Sequence, residues 1–105
     1  MEEIIPALTR GIAAWPTSPL FRERGSIYRV LAAKERITDG SRQELIALSL
    51  ADFKKASELH HLDPTNFLNL ASTLRLLGMN EEAELFYRRA VELQGSMETA
   101  FNANH

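Results

Sequence analysis

Two rows of polar side chains fall at spacings that let them act together. Arg22, Arg29 and Arg36 recur every seven residues, so they line one side of any helix that carries them. Asn69, Ser72 and Arg75 recur every three and share a face in the same way. Guanidinium and carboxamide groups in such rows grip carboxylates or backbone groups through directed hydrogen bonds. The chemistry they point to is recognition, weighed against the plainer reading of two solvated helix faces.

Other chemistries find less support. His60, His61 and Asp63 suggest a metal, but adjacent histidines on a helix diverge by about 100° and rarely reach one ion. A histidine near a helix end is also explained by the dipole. Lys54-Lys55 and Arg88-Arg89 are short basic pairs with Glu58, Glu84 and Glu92 close by, and the net charge is -2. A nucleic-acid surface needs a denser basic field than that. With no cysteine, thiolate metal sites and cysteine nucleophiles are excluded. No HExxH pair, phosphate-binding glycine loop or nucleophile elbow occurs. The expectation is a protein without catalytic activity, cofactor, metal or nucleic-acid partner. No run of 18 apolar residues occurs, and the start Met-Glu-Glu lacks a signal-peptide pattern, so no membrane association and a cytoplasmic location are expected.

The elements that must carry these side chains read as helices. At 105 residues, with 45% hydrophobic and 25% charged, the chain suits one folded domain over residues 1–95. Residues 2–15 place Ile4, Ile5, Leu8, Ile12 and Trp15 at helical spacing before Pro16. Ser18-Pro19 opens a second segment through a cap followed by proline, and Asp39-Gly40 closes it. Ser41 with Glu44 forms a capping-box pattern ahead of Leu45, Leu48, Phe53 and Ala56. Asp63-Pro64 opens a fourth segment and Gly78 ends it; Asn80 opens a fifth. Beyond Gly95 the apolar period fades, so residues 96–105 are expected to form a flexible tail. Alternation of period two never persists, which leaves an all-α fold of five antiparallel helices.

The segment 64–97 carries an internal pattern. Counted from Pro64, the residues Phe67, Leu70, Ala71, Leu74, Gly78, Ala83, Tyr87 and Ala90 stand at places 4, 7, 8, 11, 15, 20, 24 and 27. This resembles the tetratricopeptide repeat, a helical hairpin of 34 residues. Only the closing proline is missing, with Gly95 in its place. Small residues at Ala71, Ala83 and Ala90 suit closely crossing helices, with Phe67, Leu74 and Tyr87 filling the space around them. Phe21, Gly25 and Tyr28 repeat the spacing of Phe67, Ala71 and Leu74, and Ser49, Phe53 and Ala56 repeat that of Ala83, Tyr87 and Ala90. These halves stand twelve residues further apart than in the regular unit, as two lengthened facing helices would allow. Gly11 and Trp15-Pro16 are similar to the second half of a further unit.

The resemblance implies a short α-solenoid that recognises other proteins. Its concave surface would be lined by the first helix of each pair, with Arg22, Arg29, Asn69, Ser72 and Arg75 gripping a partner peptide or helix. It also implies two solenoid ends, where Trp15, Phe86 and Val91 would meet another subunit and form a homo-oligomer. The alternative is a structural oligomerisation or secretion-chaperone-like helical domain, with burial at the ends and an empty groove.

Overall fold

The computed structural model of the protein describes residues 3–34 and 36–103, the last seven of these by their backbone alone. Five helices follow one another: α1 (Ile4–Ala14), α2 (Ser18–Ala32), α3 (Asp39–Leu59), α4 (Pro64–Leu76) and α5 (Asn80–Ala103). Each packs antiparallel on the next, and no strand occurs among the described residues. The shortest dimension is 19 Å, the thickness of two helix layers. The result is an all-α, solenoid-like array.

Local chemistry explains most helix ends. The Asp63 carboxylate accepts the Thr65 amide at 2.9 Å, and Pro64 sits where no intrahelical donor is needed. Gly78 turns the chain after α4 with φ +78°, a conformation that costs glycine little. Two other ends differ from expectation. The Ser18 hydroxyl does not cap α2; it donates to the Ala56 carbonyl of α3 at 2.8 Å. Asp39-Gly40 is not a turn but the first turn of α3, because the Thr38 hydroxyl accepts the Ser41 amide and so starts the helix earlier. The Arg42 guanidinium then reaches back to the Ala32 and Lys34 carbonyls and closes the end of α2.

Helix lengths correct the expected register. The extra residues of the second hairpin do not lengthen two helices equally. At 15 residues α2 is close to α4 with 13, while α3 has 21 and a connection at 33–38 takes the remainder. At the other end, α5 runs through Gly95 to Ala103, so the fading apolar period does not mark where the helix stops. A single interior glycine costs a helix only about 1 kcal/mol, which the flanking turns sustain. The N-terminal limit expected at Glu2 and the tail residues Asn104 and His105 lie outside the described residues.

The core lies between α3, α4 and α5. Phe53, Leu70, Ala71, Leu74 and Ala83 form one buried cluster, with Tyr87 and Phe86 packed against it. Phe67, Ala90 and Leu93 form a second, and Phe86 joins the two. Ala71, Ala83 and Ala90 are all buried, as a close crossing of α4 with α5 requires. Between α2 and α3 the close approach is at Gly25, whose carbonyl accepts the buried Ser49 hydroxyl at 2.8 Å. No residue of α1 is buried; it rests mainly on α2, with Gly11 facing Leu20.

Candidate functional site: the face shared by α2 and α4

The helices α2 and α4 are not consecutive, yet side chains join them directly. The Arg22 guanidinium donates to Asp63 Oδ2 at 2.9 Å and to Asn66 Oδ1 at 3.3 Å. One turn-pair later, the Arg29 guanidinium donates to Ser72 Oγ at 3.2 Å and Thr73 Oγ1 at 3.5 Å. The pairs Arg22–Asn66 and Arg29–Thr73 share a sequence separation of 44, so α2 and α4 run parallel in a constant register. Of the three arginines expected along one side of α2, Arg36 lies beyond the end of α2 on the connection to α3, while Arg22 and Arg29 are on one side. The roles of these two differ from the expectation.

Arg22 is already neutralised. It faces the Asp63 carboxylate, which also caps α4. Burial pushes the Asp63 carboxyl up, but the Thr65 amide and the Arg22 guanidinium outweigh it and hold it below the ordinary carboxylate range. This arginine fastens α2 to the start of α4 and is not free to meet a ligand's charge. Arg29 meets only hydroxyls. Its guanidinium lies 5.2 Å from the centroid of the fully buried Phe53 ring, which supports it from behind. The Ser72 hydroxyl donates to the Leu68 carbonyl at 2.8 Å, which directs its lone pairs outward to Arg29.

Next to Arg29 the surface sinks into a depression of about 470 Å³, lined by Arg29, Ser72, Arg75, Leu76 and Tyr87. The depression thus unites three of the five groove residues expected from sequence. Arg22 and Asn69 do not line it. The backbone carbonyl of Asn69 accepts the Thr73 hydroxyl at 2.8 Å. Leu76 and Tyr87 complete the depression and were not expected there: Leu76 follows Arg75 at the end of α4, and Tyr87 belongs to the aromatic pattern of the core.

The base of this face is held by a polar network that spacing could not reveal. Asn66 is fully buried, and its amide donates to Ser18 Oγ at 3.2 Å, to the Ala56 carbonyl at 3.3 Å and to the His60 carbonyl at 3.1 Å. One side chain of α4 therefore joins α2 and the end of α3. Arg24 and Asp52 form a second tie. Their two parallel bonds measure 2.8 and 2.7 Å, and Arg24 adds a third to the Thr9 hydroxyl of α1 at 3.2 Å. The hydrogen bonds that Arg24 donates to Asp52 outweigh partial burial and raise the guanidinium pKa above its already high value, keeping it charged. Among the described residues no buried side-chain polar atom lacks a partner.

The residues expected at the ends are divided. Trp15 and Val91 stand in solvent, at 74% and 68% exposure. Phe86 does not project outward; it is half-buried, stacked on Phe67 with centroids 6.0 Å apart. The exposed side of α5 also carries charges paired along the helix, Glu84 with Arg88 and Arg89 with Glu92, beside the exposed Leu85 and Val91. His60 and His61 are both exposed at the end of α3, and no cluster of three metal-ligating side chains occurs among the described residues. No helix among them is long and apolar enough to cross a membrane.

No family model matches the chain, no curated protein matches it in sequence, and no solved structure matches it. Its own geometry must therefore carry the functional reading. A shallow depression rimmed by guanidinium, hydroxyl, phenol and isobutyl groups can hold a ligand by hydrogen bonds and apolar contact. It offers no general base beside a nucleophile.

Proposed function

We propose that the protein is an interaction module of the tetratricopeptide type, holding an extended segment or helix of a partner protein on the face shared by α2 and α4. The observation that carries this reading is the parallel, constant register of α2 and α4, with a depression of about 470 Å³ along it. Helices in the same place of successive repeats stand in that relation, and the surface they share is the one such arrays present to ligands. The buried alanines at Ala71, Ala83 and Ala90 add support from the packing side. The reading assigns the protein binding without a reaction.

Photo-crosslinking tests it. A benzoylphenylalanine at Asn69 should trap a partner in the native host extract, and the same residue at Leu85 on the outer face of α5 should not. Adducts from Leu85 alone would move binding to the outside of the array and refute the reading.

A second reading has its own observation. Trp15 is 74% exposed beside a helix that buries none of its residues, so the α1 end suits self-association. Sedimentation over a range of concentrations, followed by the same experiment on Trp15→Ser, decides it. A monomer at all concentrations sinks this reading and leaves the groove untouched.

A further inference from the structure

Charge is distributed unevenly over the arginines. Arg22, Arg24, Arg42, Arg88 and Arg89 each face a carboxylate within 4 Å. Arg29 and Arg75 face none among the described residues, and both line the same depression. Arg10 and Arg36 are also without one, but they lie elsewhere, on α1 and on the α2–α3 connection. Among the described residues no acid lines the depression itself; Glu84, which shares an adjoining hollow with Arg75 and Tyr87, is paired with Arg88. In a protein of net charge -2, two uncompensated cations in one hollow form a local positive focus.

The placement is matched in both hairpins. Arg29 stands eight residues after Phe21, and Arg75 eight after Phe67. Each lies in the last turn of its helix, where the dipole favours a cation, yet neither guanidinium bonds its own helix's terminal carbonyls. Arg29 uses a single nitrogen, Nη1, on the two hydroxyls. Its Nε and Nη2 have no partner among the described residues, and its central carbon lies 5.2 Å from the centroid of the Phe53 ring. A guanidinium held this way is set for a two-point bond to a carboxylate. Beside it, Leu76 is 55% exposed and Tyr87 half-buried, which gives an apolar contact next to the charge.

We infer that the groove selects a partner segment with an internal Asp or Glu next to an apolar side chain. The carboxylate lies between Arg29 and Arg75, and its apolar neighbour rests on Leu76 and Tyr87. This inference rests on the groove reading above and names its ligand.

The test is selection of random linear peptides displayed on phage, fused at their C-termini so that no terminal carboxylate is offered. Enriched sequences should carry an acidic residue beside a leucine or aromatic residue. Synthetic copies with amidated ends should lose about tenfold or more in affinity on changing that acid to its amide, or on Arg75→Glu. Arg75 is exposed and unbonded, so this variant keeps the fold, and its melting temperature verifies that. Arg29→Lys, which keeps the charge but not the two-point geometry, should weaken the same peptides and spare those lacking the acid.

Enriched peptides without acids that still lose affinity on Leu76→Ser would overturn the acidic specificity and leave the groove reading in place. Enriched peptides indifferent to both Arg75→Glu and Leu76→Ser would overturn both. So would a selection that yields no binder.

Discussion

The same substitution should have opposite signs at two helical glycines. A Cβ added at Gly25 would lie 3.1 Å from Cε1 of Phe53 and 3.2 Å from Cβ of Asp52. Neither neighbour can yield. Phe53 is fully buried in the main cluster, and Asp52 is held by the two-point bond to Arg24. Crowding of this kind costs about 1–3 kcal/mol. Replacing glycine by alanine inside a helix returns roughly 1 kcal/mol. Because neither neighbour can yield, crowding wins, and Gly25→Ala should lose up to about 2 kcal/mol. At Gly95 an added Cβ meets nothing within 4 Å, so only the backbone effect remains. Gly95→Ala should gain about 0.5–1 kcal/mol. For a domain of this size each kcal/mol moves the melting temperature by roughly 4–8 °C. Circular-dichroism melts of both variants beside the parent measure the contrast. If Gly25→Ala melts higher than the parent, α2 and α3 do not approach as closely as described, and the argument fails.

Asn66→Ala should cost about 2–4 kcal/mol, because it strips the His60 carbonyl and Ser18 hydroxyl of a buried donor and leaves a void; urea unfolding within about 0.5 kcal/mol of the parent would refute the network. Ala71→Leu puts bulk into the α4–α5 crossing at a fully buried site and should lose about 1–3 kcal/mol, read by the same unfolding curves. The Asp63 carboxyl sits below its ordinary range in the fold, so its contribution is complete above that range and disappears as pH falls through it toward the folded value. Asp63→Asn keeps a capping side chain but loses the charge facing Arg22, so its stability should fall less steeply than the parent's below about pH 4. Parallel stability–pH curves would show that the pair contributes nothing there.

Signals carried by neighbouring residues were readable. Asp63-Pro64 and Gly78 mark the ends of α4 because caps and positive φ are local properties. Ala71, Ala83 and Ala90 identify the tight crossing because small side chains at helical spacing have few other uses. Arg22 and Arg29 share a side of α2 as their interval requires. What stayed hidden involves partners far along the chain. The Arg24–Asp52 bond spans 28 residues and the Ser18–Asn66 bond 48, and neither leaves a periodic trace. For the same reason spacing placed Arg22 in the groove but could not reveal that Asp63 had taken its charge. Competition misplaced the start of α3: Thr38 and Ser41 are both good caps, and Thr38 accepts the amide of Ser41. The run of α5 past Gly95 escaped notice because the apolar period fades there while the backbone stays helical.

The crosswise arginines also govern how stiff the array is. Stacked hairpins ordinarily breathe along their long axis, widening and narrowing the trough between equivalent helices. Arg22 and Arg29 clasp α2 to α4 at two points a seven-residue interval apart, which resists both splaying and sliding. Under the proposed binding role, a guest would meet a trough whose width is already set, with little ordering left for it to impose. Selectivity in that role would come from fit to a rigid shape, and a guest too broad for the trough would be turned away instead of accommodated.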